Sequence, residues 1–206
     1  MSSAISAAVL AKSDATGQSS GSIGEEILRR ARRGGLAIGA MFFALFGAVW
    51  LLIADRLAHA HGWIPVVVVI GVALLLFVSA LRVFRAQRDA LVTLRQSPQS
   101  QRMRRQFRAI NALQWIVAAV VVVVLHGLRL DVWVVPALML VVGLHFLPLA
   151  RVFQYSPHGL TGAVLIATAL LYPLVSPGGA ASPIGSAIAG VTLWLGGLWA
   201  LRPVNR

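Results

Sequence analysis

Residues 62–81 read GWIPVVVVIGVALLLFVSAL, twenty residues without a charge, closed by Arg82. At 1.5 Å per residue a helix of this length spans about 30 Å, the thickness of a bilayer's hydrocarbon core. The valine run 66–69 would favour a strand in water. The stretch lacks the alternation of a barrel strand, however, and an open strand in lipid leaves its backbone polar groups unpaired. Helix is the reading, and lipid its solvent.

The same pattern recurs five more times, giving six spans at 34–54, 62–84, 109–127, 132–152, 159–176 and 183–201. The expected fold is all-α: a polytopic membrane bundle of six transmembrane helices in three antiparallel hairpins. Composition agrees. Of 206 residues, 58% are hydrophobic and 12% charged, against about 25% charged in a typical soluble domain. One small core cannot hide so much apolar surface.

The basic residues orient the bundle. Five precede the first span (Lys12, Arg29, Arg30, Arg32, Arg33), and eight fill the second connection: Arg82, Arg85, Arg88, Arg95, Arg102, Arg104, Arg105 and Arg108. With Arg151, Arg202 and Arg206 the total on that side is sixteen; the other side has Arg56 and Arg129, beside Asp55 and Asp131. Arginine and lysine accumulate on the cytoplasmic side, so both termini are expected there. Aromatic anchors fit: Trp50, Trp63, Trp133 and Tyr172 fall at outer ends, and Phe84, Phe107, Phe153 and Trp199 at inner ends. The net charge of +12 is thereby read as contact with anionic lipid, worth about 1 kcal/mol per arginine before mutual repulsion. It is not read as a nucleic-acid footprint.

Residues 1–21 are rich in Ser, Ala and Gly and interrupted by Lys12 and Asp14. They read as a disordered cytoplasmic tail and not as a cleavable signal. Ser22 and Glu25 fit a capping box, followed by Glu25/Arg29 and Glu26/Arg30 at i,i+4. A short basic helix over 22–33, lying at the membrane surface, is expected. In the loop 85–108, residues up to Arg95 extend the second helix along the surface, and Ser97-Pro98-Gln99-Ser100 breaks it.

The even-numbered helices start near Pro65, Pro136 and Pro183 and end at Leu81-Arg82, Ala150-Arg151 and Leu201-Arg202. Two origins fit this repeat: duplication of a hairpin, or the arginine that any helix ending in the cytoplasm acquires. Small residues recur at four-residue spacing: Gly35/Gly39, then Ala40, Ala44 and Ala48, with Gly185/Ala189 and Ser186/Gly190 in the last helix. Such ridges let helices approach closely. Packing within the bundle is the first use expected of them, and a homodimer or another membrane protein the second.

Catalytic chemistry finds little to work with. Cysteine is absent, which excludes disulfides and thiolate chemistry. P-loop, zincin, nucleophile-elbow and dinucleotide fingerprints are missing, and no acidic or basic residue falls at mid-membrane. A non-enzyme is expected, with no cofactor.

A small polar set remains: Gln114, His145, Thr168, Tyr172 and Thr192. His145 lies six residues before Arg151, and Gln114 six after Arg108, so the two are placed at nearly one depth, where His145 can bond to Gln114 across helices three and four or to a freed carbonyl. Pro148 frees the carbonyl of Leu144 beside them. A neutral histidine fastening two helices is one reading; a proton relay or ligand contact is the other. On helix five, Thr161, Leu165, Thr168 and Tyr172 share a face. Thr168 and Thr192 fall near the midplane, either bonded to their own helices or lining a weakly polar path. A bis-histidine haem needs two histidines at matching depth. With His126 at the outer end and His158 at the inner surface, His145 is expected to have no such partner. An outer group of His59, His61 and His126 is not expected to bind metal.

The Trp133–Arg151 segment, with its Gly143-Leu144-His145-Phe146-Leu147-Pro148-Leu149-Ala150-Arg151 core, resembles a group of small bacterial six-helix membrane proteins without established activity. The likeness covers residues 109–202 and leaves out 1–33. It implies a bacterial inner-membrane location and carries over no functional residue. Two functions stay open: a non-catalytic accessory, regulatory or structural component, and a facilitator of a small neutral solute between helices three to six.

Overall fold

The computed structural model describes residues 24–59, 62–93 and 100–202, and six helices, each long and apolar enough to cross a membrane, account for most of those described residues. They are α1 (Gly24–Leu57), α2 (Trp63–Thr93), α3 (Ser100–Gly127), α4 (Val134–Val152), α5 (Ser156–Val175) and α6 (Pro183–Leu201). Single 3-10 turns, Asp131–Trp133 and Gly179–Ala181, precede α4 and α6. No strand occurs among the described residues.

Local chemistry sets the helix ends. Pro183 opens α6, and the Ser182 hydroxyl accepts from the Ile184 amide at 3.4 Å, a proline-and-serine start. Gly178 takes φ +85° in the turn after α5, a left-handed conformation that glycine adopts without steric cost. At the end of α5 the Ser176 amide donates to the Tyr172 carbonyl at 3.0 Å, and the Ser176 hydroxyl is a second donor to the same oxygen.

The basic segment before the first span is not a separate surface helix. α1 runs from Gly24 through Arg32-Arg33 into the apolar stretch without a break. The composition changes there because the solvent changes, while the backbone hydrogen bonding continues. Glu26 pairs with Arg30 at 2.7 Å, as the i,i+4 spacing predicts, but Arg29 turns to Glu26 and not to Glu25. The tail 1–21, the capping serine Ser22, Arg95 and the break at Ser97 lie outside the described residues.

Each helix packs on its sequence partner, α1 on α2, α3 on α4 and α5 on α6. Between pairs, α1 packs on α6 and α4 on α5. The order across the bundle is therefore α2–α1–α6–α5–α4–α3. The α5–α6 hairpin is central, and the other two dock against its flanks.

Both docking seams are glycine crossings. A Cβ built on Gly143 would stand 3.0 Å from the Gly162 carbonyl oxygen, and one on Gly162 2.7 Å from that of Gly143. The corresponding distances for Gly47 and Gly190 are 3.0 and 2.8 Å. Lipid tails are as apolar as leucine, so no hydrophobic force drives helices together, and close backbone approach supplies the attraction. At the α1–α6 seam the Trp194 indole also donates to the Ala44 carbonyl at 3.1 Å.

The expected small ridge of α1 is displaced by one residue at its start. Gly35 and Gly39 would meet nothing if given a Cβ, whereas Gly34 would meet Leu91 of α2 at 2.5 Å. The buried line continues through Ala37, Ala40, Ala44 and Ala48. Between the seams, Met139, Leu165 and Leu193 are completely enclosed, with Phe43, Phe146 and Tyr172 around them.

Candidate functional site

The arginines converge on one end of the bundle. There the start of α1 meets the end of α2 (Gly34 against Gln87 and Leu91), and the end of α6 meets α1 (Gly197 against Phe43). The start of α3 meets the end of α4, with Phe107 and Phe153 at 5.8 Å. Arg82, Arg85, Arg88, Arg102, Arg104, Arg105 and Arg108 are all exposed there. Arg202 lies over the Trp199 ring at 4.3 Å, a cation–π contact that covers an aromatic face.

Just inside this basic end sits a buried cluster. His158, in the first turn of α5, is 7% exposed. Its ring is surrounded by Tyr155 at 4.9 Å, Phe43 at 5.7 Å, Phe146 at 5.9 Å and Phe153 at 6.1 Å, centroid to centroid. His145 packs on the same Phe146 at 5.8 Å. This corrects the sequence reading, which put His158 at the surface: it is a core residue. Nδ1 of each ring is buried without a hydrogen-bond partner.

The bond between Gln114 and His145 does not form. His145 instead meets the main chain of Ile110, four residues before Gln114, a stagger of about one helical turn. Gln114 is half-buried on α3.

The other polar candidates do not join the histidines in one site. Leu165 and Tyr172 face the core as the spacing predicts, and the Thr161 hydroxyl donates to the Pro157 carbonyl at 3.0 Å, the i−4 bond common for helical threonines. Tyr172 works at the opposite end, where its hydroxyl donates to the Ala180 carbonyl at 3.1 Å. A Cβ on Gly185 would stand 2.5 Å from its ring. Thr168 and Thr192 are half-buried.

His158 was the residue that sequence reasoning missed. The signal was present: extended back one turn from Thr161 and Gly162, the buried stripe Tyr172–Ala169–Leu165 arrives at His158. At the opposite end His126 bonds to Asp131 at 2.7 Å. Leu52, Asp55, Arg56, His59, Gly62, Trp63 and Val66 line an open cleft of about 560 Å³ there. No group of three or more metal-ligating side chains occurs among the described residues. No family model, curated protein or solved structure matches the chain.

Of the rings packed on His158, only that of Tyr155 carries a polar group, its phenol. The cluster fills the seam between α1, α4 and α5 with flat side chains, and the imidazole serves as one of them. His158→Phe is therefore expected to leave thermal stability in detergent unchanged or raised by about 1 kcal/mol, because it removes a buried unpartnered nitrogen at similar volume. A loss above about 2 kcal/mol would mean that the ring nitrogen has a partner in the folded protein.

Proposed function

We propose that the protein is a non-catalytic component of the bacterial inner membrane, with both termini cytoplasmic. It adheres to anionic lipid through its basic end and acts in an accessory, regulatory or structural capacity. The orientation rests on the sixteen-to-two distribution of basic residues, and the location on the likeness of residues 109–202 to bacterial six-helix membrane proteins.

One observation carries the functional reading. The α5 face on which a solute path would depend is turned into close-packed side chains. Leu165 lies against a core that includes Met139 and Leu193, with Thr161 bonded back to its own helix and Tyr172 tied to Ala180. A facilitator of neutral solutes needs polar groups that a passing solute can reach. Here two of the stripe's polar groups already have partners.

Stopped-flow swelling of proteoliposomes in glycerol or urea tests this directly. The expected rate equals that of protein-free vesicles. Faster swelling that is lost in Thr168→Val or His145→Leu would establish the facilitator reading instead.

A further inference from the structure

α2 and α3 follow one another in the chain, yet they do not pack together along their length. α1 stands between them. It packs closely on α2 and reaches α3 through one aromatic pair, Phe46 and Trp115, with ring centroids 6.4 Å apart. No residue in the apolar stretch of α3 is buried. The result is a lateral cleft floored by α1, walled by α2 and α3, and open to the side.

The floor is bulky and apolar. Ile38, Phe42, Leu45, Phe46 and Val49 recur at helical spacing on α1 and are all exposed. Phe42 and Phe46 stack at 6.4 Å, and Trp115 is 56% exposed beside them. The seams between helices in this protein are made of glycine and alanine, where backbones come close. A floor of phenylalanine and branched aliphatics holds a neighbouring helix away, and suits a flexible chain that fits around it.

Charge marks the mouth of the cleft. Arg104, Arg108 and Trp115 fall on one face of α3, at i, i+4 and i+11. By helix rise Arg108 stands about 10 Å from Trp115 along the axis. Both arginines are exposed, and Arg82, Arg85 and Arg88 stand exposed at the end of α2. We infer that this cleft seats one anionic phospholipid, its phosphate held by Arg104 and Arg108 and an acyl chain laid across Phe42, Phe46 and Trp115. Guanidinium forks suit phosphate oxygens, and their aliphatic stems let them reach the headgroup layer from an apolar wall.

This seat rests on the reading of the basic end as lipid-facing, and narrows it from general adhesion to one site. The test is tryptophan fluorescence of the full chain in nanodiscs containing a small fraction of brominated-acyl lipid, with Trp199→Phe as the background because Trp199 is exposed at the same basic end. Brominated phosphatidylglycerol is expected to quench at least about twofold more than brominated phosphatidylcholine, since headgroup charge draws only the former to the arginines. Trp115→Phe, which keeps an aromatic ring against Phe46, should abolish that excess, and so should the pair Arg104→Gln, Arg108→Gln. Native mass spectrometry supplies a second measurement, with one phosphatidylglycerol retained per wild-type chain under conditions that strip phosphatidylcholine.

Equal quenching by the two lipids would overturn the seat. So would an excess that survives Trp115→Phe, or cross-linking of a second copy through Phe46→Cys. The two levels of the reading separate in vesicle competition. Retained preference for anionic vesicles without dependence on Trp115 removes the seat alone, whereas loss of the preference removes the lipid-facing reading as well.

Discussion

Replacing Gly162 by leucine is expected to lower stability by about 3 kcal/mol, the upper end of what overpacking costs, and to release the α3–α4 hairpin from the bundle. The first carbon of the new side chain would already stand 2.7 Å from the Gly143 carbonyl oxygen and 3.0 Å from the Phe146 Cβ. Neither atom can rotate away, because one is backbone and the other is fixed to it. The helices must separate instead, and in lipid no hydrophobic force draws them back. α3 has no comparable packing outside its own hairpin, so it leaves with α4. Thermal unfolding in detergent, with limited proteolysis of the connection between α4 and α5, reads both effects. Gly162→Ala should shift stability in the same direction by less. A leucine variant that unfolds at the wild-type temperature would remove the glycine crossing as the seam.

The six spans were legible because lipid leaves little choice. A charge-free run of twenty residues such as 62–81 needs a helix, and the arginines after it mark where the apolar stretch ends, although α2 itself continues to Thr93. Neighbour relations were not legible, for the same physical reason. In water an inward face is more apolar than an outward one, but here both faces of α3 and α6 are apolar, so hydrophobicity does not say which packs on what. Only small residues carry that information, and Gly47, Gly143 and Gly162 are isolated in sequence, while the more regular Gly35/Gly39 pair makes no contact.

Depth was easier to read than direction. Gln114 and His145 were placed at one level from their distances to Arg108 and Arg151, and the true neighbour, Ile110, is only about a turn away. Depth gives no rotation about the helix axis, so it does not choose the partner. His158 failed in a related way. Its position just before the span 159–176 put it at the inner surface, whereas the packing of Phe43 from α1 and Phe146 from α4 against it is a tertiary event. The arginine cluster and the α5 stripe could be found because both are linear patterns.

The second large effect is expected at the other seam, where Gly190→Leu should detach the α1–α2 hairpin at a cost of about 3 kcal/mol. A Cβ at Gly190 would stand 2.5 Å from Leu51 Cγ and 2.8 Å from the Gly47 carbonyl oxygen. Leu51 can turn aside, but the carbonyl cannot. The same seam contains the Trp194–Ala44 hydrogen bond, which allows the two sources of its stability to be compared. Hydrogen bonds between membrane helices contribute about 0.6 kcal/mol on average, because the separated helices find other partners. Trp194→Phe removes that bond and keeps most of the ring, so it should cost well under half of what Gly190→Leu costs. Unfolding of both variants under one detergent condition gives the ranking. If Trp194→Phe proved the more damaging, the indole bond would be the main fastening of α1 to α6 and the glycine crossing only the space that admits it. The opposite ranking follows from the geometry, since Gly47 and Gly190 bring two backbones together and a Cβ at Gly47 would lie 2.3 Å from the Trp194 ring. That glycine makes room for the tryptophan as well as for the helix.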